Sequence, residues 1–247
     1  MKAPRFYIEE ELVTGSSLQL TDDISRHIKA LRLSVGDQIV LFDGQGGEFD
    51  AEVTETSRRS TTVYLLAHQP IERESPLTVH LAISLIRKDA MEVAIQKATE
   101  LGVSTITPLV TRFTNESVSK ARMRQSHWQR IVNAACEQCG RNRPAIVSEP
   151  VEFSNWLNGI IDSEGIKIIL DPRSTENFSD LPSPQESAIL AIGPEGGFSD
   201  DEIAEARQLN FVNLSLGPRV LRAETAPIAA LTLVQHVWGD LSRSSSS

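Results

Sequence analysis

The sequence predicts an α/β protein in two parts, a small barrel-like β domain followed by a larger domain built on a largely parallel sheet. Three observations carry this reading. The first seventy or so residues are short alternating apolar and polar runs parted by Gly-rich or polar turns. After Pro76, apolar strands alternate with amphipathic helices, the pattern of a parallel sheet clothed in helices. A hydrophobic content of 40% with 23% charged residues supplies enough apolar surface to bury a core over 247 residues.

The β texture lies in Arg5-Phe6-Tyr7-Ile8, Gln38 to Phe42, Glu48 to Val53 and Thr61 to Leu66, with Asp43-Gly44-Gln45-Gly46-Gly47 as the clearest turn. One short helix interrupts it, with N-cap chemistry offered by Thr21-Asp22-Asp23 and Ile24, Ile28 and Leu31 at helical spacing. The polar stretch Gln69 to Pro76, with a proline at each end, reads as a linker. Beyond it come strand Leu77 to Leu85 and helix Ala90 to Leu101, whose Met91, Ala94, Ile95 and Ala98 share a face before Gly102 ends it. Strand Thr105 to Val110, helix Ser126 to Gln138, and strands Ile166 to Leu170 and Ser187 to Ile192 follow. Helix Asp200 to Gln208, strand Val212 to Leu216 and helix Glu224 to Trp238 close the series. The expected domains are 1–72 and 73–241, with a low-complexity, disordered tail at 242–247.

The start of the chain has no secretory pattern, because Glu9-Glu10-Glu11 interrupts it. The most apolar run, Pro227 to Trp238, falls well short of the roughly 20 residues that span a bilayer. A cytoplasmic protein without membrane attachment is expected. Cys136 and Cys139 form a C-x-x-C pair with no second pair, half a zinc site at best, and are expected to be reduced thiols on a helix. No metal is expected.

Two loops at predicted strand ends hold the candidate chemistry, where open α/β sheets place ligands. Ile192-Gly193-Pro194-Glu195-Gly196-Gly197-Phe198-Ser199 enters a helix through a Ser199/Glu202 capping box. Its glycines let backbone approach a ligand, yet it is neither G-x-G-x-x-G nor a P-loop, so phosphate cofactors are poorly supported. An ordinary tight turn is the plainer alternative. The second loop, Leu214 to Ala226, places Arg219 and Arg222 in an otherwise acidic third of the chain, suited to an anion or a planar polar group. Simple pairing of Arg222 with Glu224 or Glu195 is the alternative.

These two motifs, G-P-E-G-G-F-S at Gly193 to Ser199 and L-G-P-R-V-L-R-A-E-T-A at Leu216 to Ala226, resemble the RsmE family. That family comprises bacterial methyltransferases of the SPOUT superfamily acting on N3 of a uridine in 16S ribosomal RNA. The likeness runs through Pro4 to Tyr7, His27 to Gly36, Gln96 to Val103 and Glu137 to Arg141, covering residues 1 to 241. It implies an N-terminal PUA-like β-barrel that binds RNA, a SPOUT domain with a deep trefoil knot, and a homodimer. The substrate would be 16S rRNA, in the small ribosomal subunit. It also implies S-adenosyl-L-methionine as cofactor, held by Leu170, Gly193, Pro194, Glu195, Gly196, Gly197, Leu216, Gly217, Val220 and Leu221. Arg222 is the candidate for stabilising charge on the uracil, and Glu224 for accepting its proton or orienting Arg222. A noncatalytic RNA-binding or ribosome-assembly dimer, or a SPOUT enzyme acting at another RNA position, are the competing readings.

The formal net charge of −9 speaks against bulk electrostatic binding of nucleic acid. Its distribution is uneven, with −5 over residues 1–72, +4 over 73–150 and −8 over 151–247. Arg112, Arg122, Arg124, Arg130, Arg141 and Arg143 are therefore the candidate RNA contacts in the middle, with Arg5 and Arg32 on the first domain. A solvated, charged helix face is the alternative for the middle group.

Overall fold

The computed structural model describes residues 3–57, 60–178, 181 and 186–242. Of the expected disordered tail, 243–247 lie outside the described residues. The chain divides into two compact units, Met1–Glu74 with Asn133–Pro144, and Ser75–Val132 with Ala145–Ser247. The cut between Glu74 and Ser75 falls within the polar segment between the two prolines. The return of 133–144 to the first unit is a discontinuity that no local pattern announces.

In the first unit the strands are β1 (Arg5–Tyr7), β2 (Ser17–Gln19), β3 (Gln38–Phe42), β4 (Glu48–Thr56) and β5 (Thr61–Gln69), with helix α1 (Asp22–Ala30) between β2 and β3. They form a mixed sheet in the order β1-β3-β4-β5-β2, antiparallel except for the parallel β1/β3 pair. Register shifts at Asp50/Ala51 and Val53/Glu55 mark bulges that bend β4. Alternation places Ile39, Leu41, Phe49, Ala51, Val53, Val63 and Leu65 on one face, where Phe6 and Ile28 join the core. Thr21 stands at the N-cap of α1 but makes no side-chain cap bond.

A carboxylate is buried in this unit. Glu48 accepts hydrogen bonds from Arg5 and, at 3.0 Å, from Arg73. Burial alone pulls its pKa upward, but the bonds from Arg73 and Arg5 outweigh that and hold it below the ordinary value. Arg5 also donates to Asn142 Oδ1 at 2.6 Å, and Arg141 Nε donates to Glu74 at 2.9 Å. Cys136 is buried, and its bond with Cys139, reinforced by burial, pushes its pKa up, away from reactive thiolate.

The second unit carries β6 (Thr78–Ser84), α2 (Lys88–Glu100), β7 (Thr105–Val110), α3 (Val118–Arg122) and the first half of α4 (Gln125–Cys139). β8 (Ile146–Val147), β9 (Val151–Glu152), α5 (Phe153–Gly159), β10 (Ile166–Leu170), β11 (Ser187–Ile192), α6 (Asp200–Gln208), β12 (Val212–Leu214) and α7 (Thr225–Val237) complete it. The sheet order is β12-β10-β11-β6-β7-β8, with β9 also on β7, and every described pair is parallel. Its central strands are covered on both faces, as β10 illustrates by being buried throughout. Phe153, Trp156, Phe198, Ile203 and Phe211 build the core between the sheet and helices α5 and α6. Among the described residues no helix is long and apolar enough to cross a membrane.

This topology positions the site. β12, β10, β11 and β6 are neighbours running the same way, so the loops leaving their carboxyl ends lie side by side along one edge. The last expected strand is shorter than its apolar pattern, ending at Leu214, and so releases Ser215 and Leu216 into such a loop.

Candidate active site

A cavity opens at that edge, of about 620 Å³ counting its open mouth. Leu170, Asp171 and Pro172 line it after β10, Ile192, Gly193, Pro194, Glu195 and Gly197 after β11, and Leu214, Leu216, Gly217, Arg219, Val220, Leu221, Ala223 and Ala226 after β12. Of the expected cofactor residues, Leu170, Gly193, Pro194, Glu195, Gly197, Leu216, Gly217, Val220 and Leu221 are thus brought together. Gly196 is not on this wall. An added Cβ there would stand 3.1 Å from Phe113 Cβ, so its missing side chain makes room for Phe113 instead.

Each glycine has its own reason. Gly197 and Gly217 adopt φ of +72° and +88°, which side chains rarely tolerate. Gly193 has no such backbone demand, but a Cβ would come within 3.0 Å of the Gly197 carbonyl carbon and 3.2 Å of the buried Phe198 ring. The loop folds back on itself there, and Gly197 N donates to Pro194 O at 2.9 Å.

The loop ends in a complete capping box. Ser199 Oγ accepts from Glu202 N, while Glu202 Oε2 accepts from Ser199 N at 2.8 Å. The other carboxylate oxygen, Oε1, accepts from Arg112 N at 2.8 Å, tying the glycine loop to the turn after β7. The box is legible in sequence; the second attachment is not.

On the opposite wall Asp171 accepts from Arg173 N and Nε, both at 2.9 Å, and from Asn213 Nδ2 at 3.4 Å. Burial works to raise its pKa, but these bonds hold it below the ordinary carboxylate value. Arg173 in turn reaches Asp200 at 2.7 Å. The carboxylate therefore stays ionised and fixed at the cavity rim.

Arg222 and Glu224 line a neighbouring recess with Arg87, Glu195, Leu221 and Ala223. Among the described residues Arg222 forms no ion pair, and Glu195 pairs with Arg87 at 3.6 Å. Glu224 precedes α7 without making a side-chain cap bond. Both charged groups thus remain available beside the cavity. Arg87 went unread in the sequence, although a cation at the carboxyl end of a central parallel strand is the kind of signal that finds such residues.

The candidate RNA contacts are scattered. Arg5 and Arg141 are 7% and 5% exposed and engaged by Glu48 and Glu74. Arg143 pairs with Glu72 at 3.0 Å and Arg122 with Glu149 at 2.9 Å, each at the surface. Arg124 pairs with Glu116 and lies over the Trp128 ring. Arg32, Arg112 and Arg130 are exposed and, among the described residues, make no ion pair.

A glycine-lined, apolar-walled cavity at adjacent parallel strand ends, in a chain with a separate mixed-sheet unit, agrees with two family models. Residues 73–235 match an RNA methyltransferase domain and residues 20–63 an RNA methyltransferase PUA domain. The class is therefore that of RNA methyltransferases carrying a PUA module. The chain is 35% identical over 244 residues to the ribosomal RNA small subunit methyltransferase E of Buchnera aphidicola subsp. Schizaphis graminum, covering 98% of this chain and 99% of that one. It is also similar to the structure of that enzyme from Neisseria gonorrhoeae bound to S-adenosyl methionine, with TM-score 0.92, 34% identity and coverage of 97% and 100%. A Legionella pneumophila protein in complex with the bound cofactor SAM gives TM-score 0.91 and 37% identity over 98% of this chain and 100% of that one. The chain belongs to the ribosomal RNA small subunit methyltransferase E family.

Proposed function

We propose that this protein transfers a methyl group from S-adenosylmethionine to N3 of a uridine in 16S rRNA of the small ribosomal subunit. The observation that carries it is the cavity built from three adjacent strand-end loops, in a chain similar along nearly its whole length to proteins solved with that cofactor. The residues present fit the group. Leu170, Leu214, Leu216 and Leu221 offer apolar surface to an adenine, Gly193 and Gly217 leave backbone open to hydrogen bonding, and Asp171 and Glu195 offer negative charge to a cationic ligand. S-adenosylmethionine, when bound, supplies an electrophilic methyl on a sulfonium.

The chain's own residues deal with the acceptor. N3 of uracil carries a proton between two carbonyls, and its attack requires that proton to leave while charge spreads over O2 and O4. The Arg222 guanidinium, beside the cavity and without an ion pair among the described residues, stabilises that charge. Glu224, in the same recess and free of capping duty, accepts the proton or orients Arg222.

In this reading residues 1–72 form a PUA-like barrel that contacts RNA and 73–241 a SPOUT domain whose chain threads a deep trefoil knot. The protein works as a homodimer in the cytoplasm, where small subunits mature. Exposed Arg32, Arg112 and Arg130, together with Arg122, Arg124 and Arg143, supply the phosphate contacts. Calorimetry with S-adenosylmethionine, followed by mass spectrometry of 16S rRNA treated with the protein, tests the proposal. Saturable binding and a new N3-methyluridine support it; no binding at millimolar cofactor leaves only the noncatalytic reading.

A further inference from the structure

We propose that Phe113 is the stacking platform for the unpaired target base, a specificity residue for the methyl transfer proposed above, on which this inference rests. Phe113 is 50% exposed, and among the described residues only Tyr64 is another Phe, Tyr or Trp ring in the exposed class. A single half-exposed ring is ordinary on a protein surface, so what marks Phe113 is how it is mounted and what surrounds it.

It is held rigidly. Phe113 sits within a turn closed by Thr111 and Thr114. Thr114 N donates to Thr111 O at 3.0 Å, Thr111 N to Thr114 Oγ1 at 2.9 Å, and the two hydroxyls meet at 2.8 Å. The preceding residue is pinned by Arg112 N donating to Glu202, the carboxylate that also caps the glycine loop. On its other side Phe113 rests where Gly196 lacks a side chain.

The ring also faces the right neighbours. It lines a cavity of about 710 Å³ counting its mouth, with Arg87, Lys88, Lys120 and Arg124 against Glu116 and Glu195. Arg87 is within ion-pair reach of Glu195, Lys88 of Glu92, and Lys120 and Arg124 of the single Glu116, so a nucleotide's phosphate would share cations that already have carboxylate partners. Glu195 borders this cavity, the cofactor cavity and the Arg222 recess alike, so the ring stands at the approach to the reacting groups. N3 lies on the Watson–Crick edge, so the uracil must be unpaired to react, and proteins hold such splayed bases against aromatic side chains.

The test compares F113A, F113L, F113Y and F113W. With small ribosomal subunits as substrate, F113A lowers kcat/KM about 10- to 100-fold, mostly through KM, while calorimetric S-adenosylmethionine affinity stays within about twofold. F113Y and F113W recover most of the activity; F113L, apolar but without a π face, does not. Binding of a fluorescein-labelled oligouridine, with no methyl transfer involved, follows the same order. A Leu variant as good as Trp, an unaffected Ala variant, or cofactor affinity falling in parallel overturns the stacking role. A wild-type protein that binds oligouridine in this order yet forms no N3-methyluridine sinks the reaction assignment instead.

Discussion

Glu202 is the residue whose removal tests the architecture of the site most directly. It is 9% exposed, and its two oxygens accept three hydrogen bonds, from Ser199 N at 2.8 Å, Ser199 Oγ at 3.0 Å and Arg112 N at 2.8 Å. Glu202→Ala removes the reciprocal half of a capping box, worth about 1 kcal/mol, and strands the Arg112 amide, a further loss of about 1–2 kcal/mol at a partly solvated position. The sum, about 2–3 kcal/mol, corresponds to a drop of roughly 5–10 °C in the melting temperature of a unit this size. Glu202→Gln keeps an acceptor for one partner but loses the charge, so it falls between. Because the same carboxylate fixes the loop carrying Gly193 to Gly197, cofactor affinity should weaken about 3- to 10-fold along with stability. Thermal melts with and without S-adenosylmethionine measure both. An Ala variant melting within a degree of wild type, with unchanged affinity, would refute the claim that this carboxylate organises the site.

Gly193→Ala forces a methyl to within 3.0 Å of backbone and 3.2 Å of the buried Phe198 ring, and should cost about 1–3 kcal/mol and most of the cofactor affinity; calorimetric affinity near wild type would show that the loop can open. Arg222→Ala should lower turnover by two or more powers of ten while leaving S-adenosylmethionine affinity nearly intact, and equal loss of both in steady-state and binding assays would make it a binding residue. His80, whose pKa burial depresses to about 4 from 6.5, is more readily protonated in the unfolded chain. Its contribution to stability is therefore full above about pH 6.5 and is lost as pH falls toward 4, by about 2 kcal/mol once solvent screening is allowed for. His80→Phe should flatten that part of the urea-stability profile, and an identical pH slope would exclude the imidazole as its source.

The second unit was legible because its signals are local. A buried parallel strand reads as a continuous apolar run, and β6, β7, β10 and β11 lie within a residue or two of the runs that announced them. The strand before the Arg219 loop misled because Leu216 is apolar for the cavity rather than for the sheet. Short β2, β8 and β9 escaped for a different reason. Two or three residues cannot establish a period of two, and their pairing is decided by partners far along the chain. The same limit hid the assignment of 133–144 to the first unit, since α4 is one uninterrupted helical pattern across that division.

At the site, backbone requirements could be read and charge partners could not. Glycine clusters mark places where the backbone turns through positive φ or leaves no room for a Cβ, so Gly193, Gly197 and Gly217 are visible in the sequence without Phe198 or the cavity. Arginine carries no such mark: Arg5 in a buried carboxylate pair and Arg32 in solvent look alike in sequence. Segment charge therefore overcounts the cations free of a carboxylate, because Glu48, Glu74 and Glu116 engage theirs through contacts 8 to 67 residues away. What survives that subtraction is smaller. Arg112, exposed and without an ion pair among the described residues, stands beside the half-exposed Phe113 in a carboxylate-fixed turn at the edge of the glycine loop. In an acidic protein, where the global field repels RNA, selectivity must come from such a place, where one base is gripped by shape and stacking while a few phosphates meet positive charge.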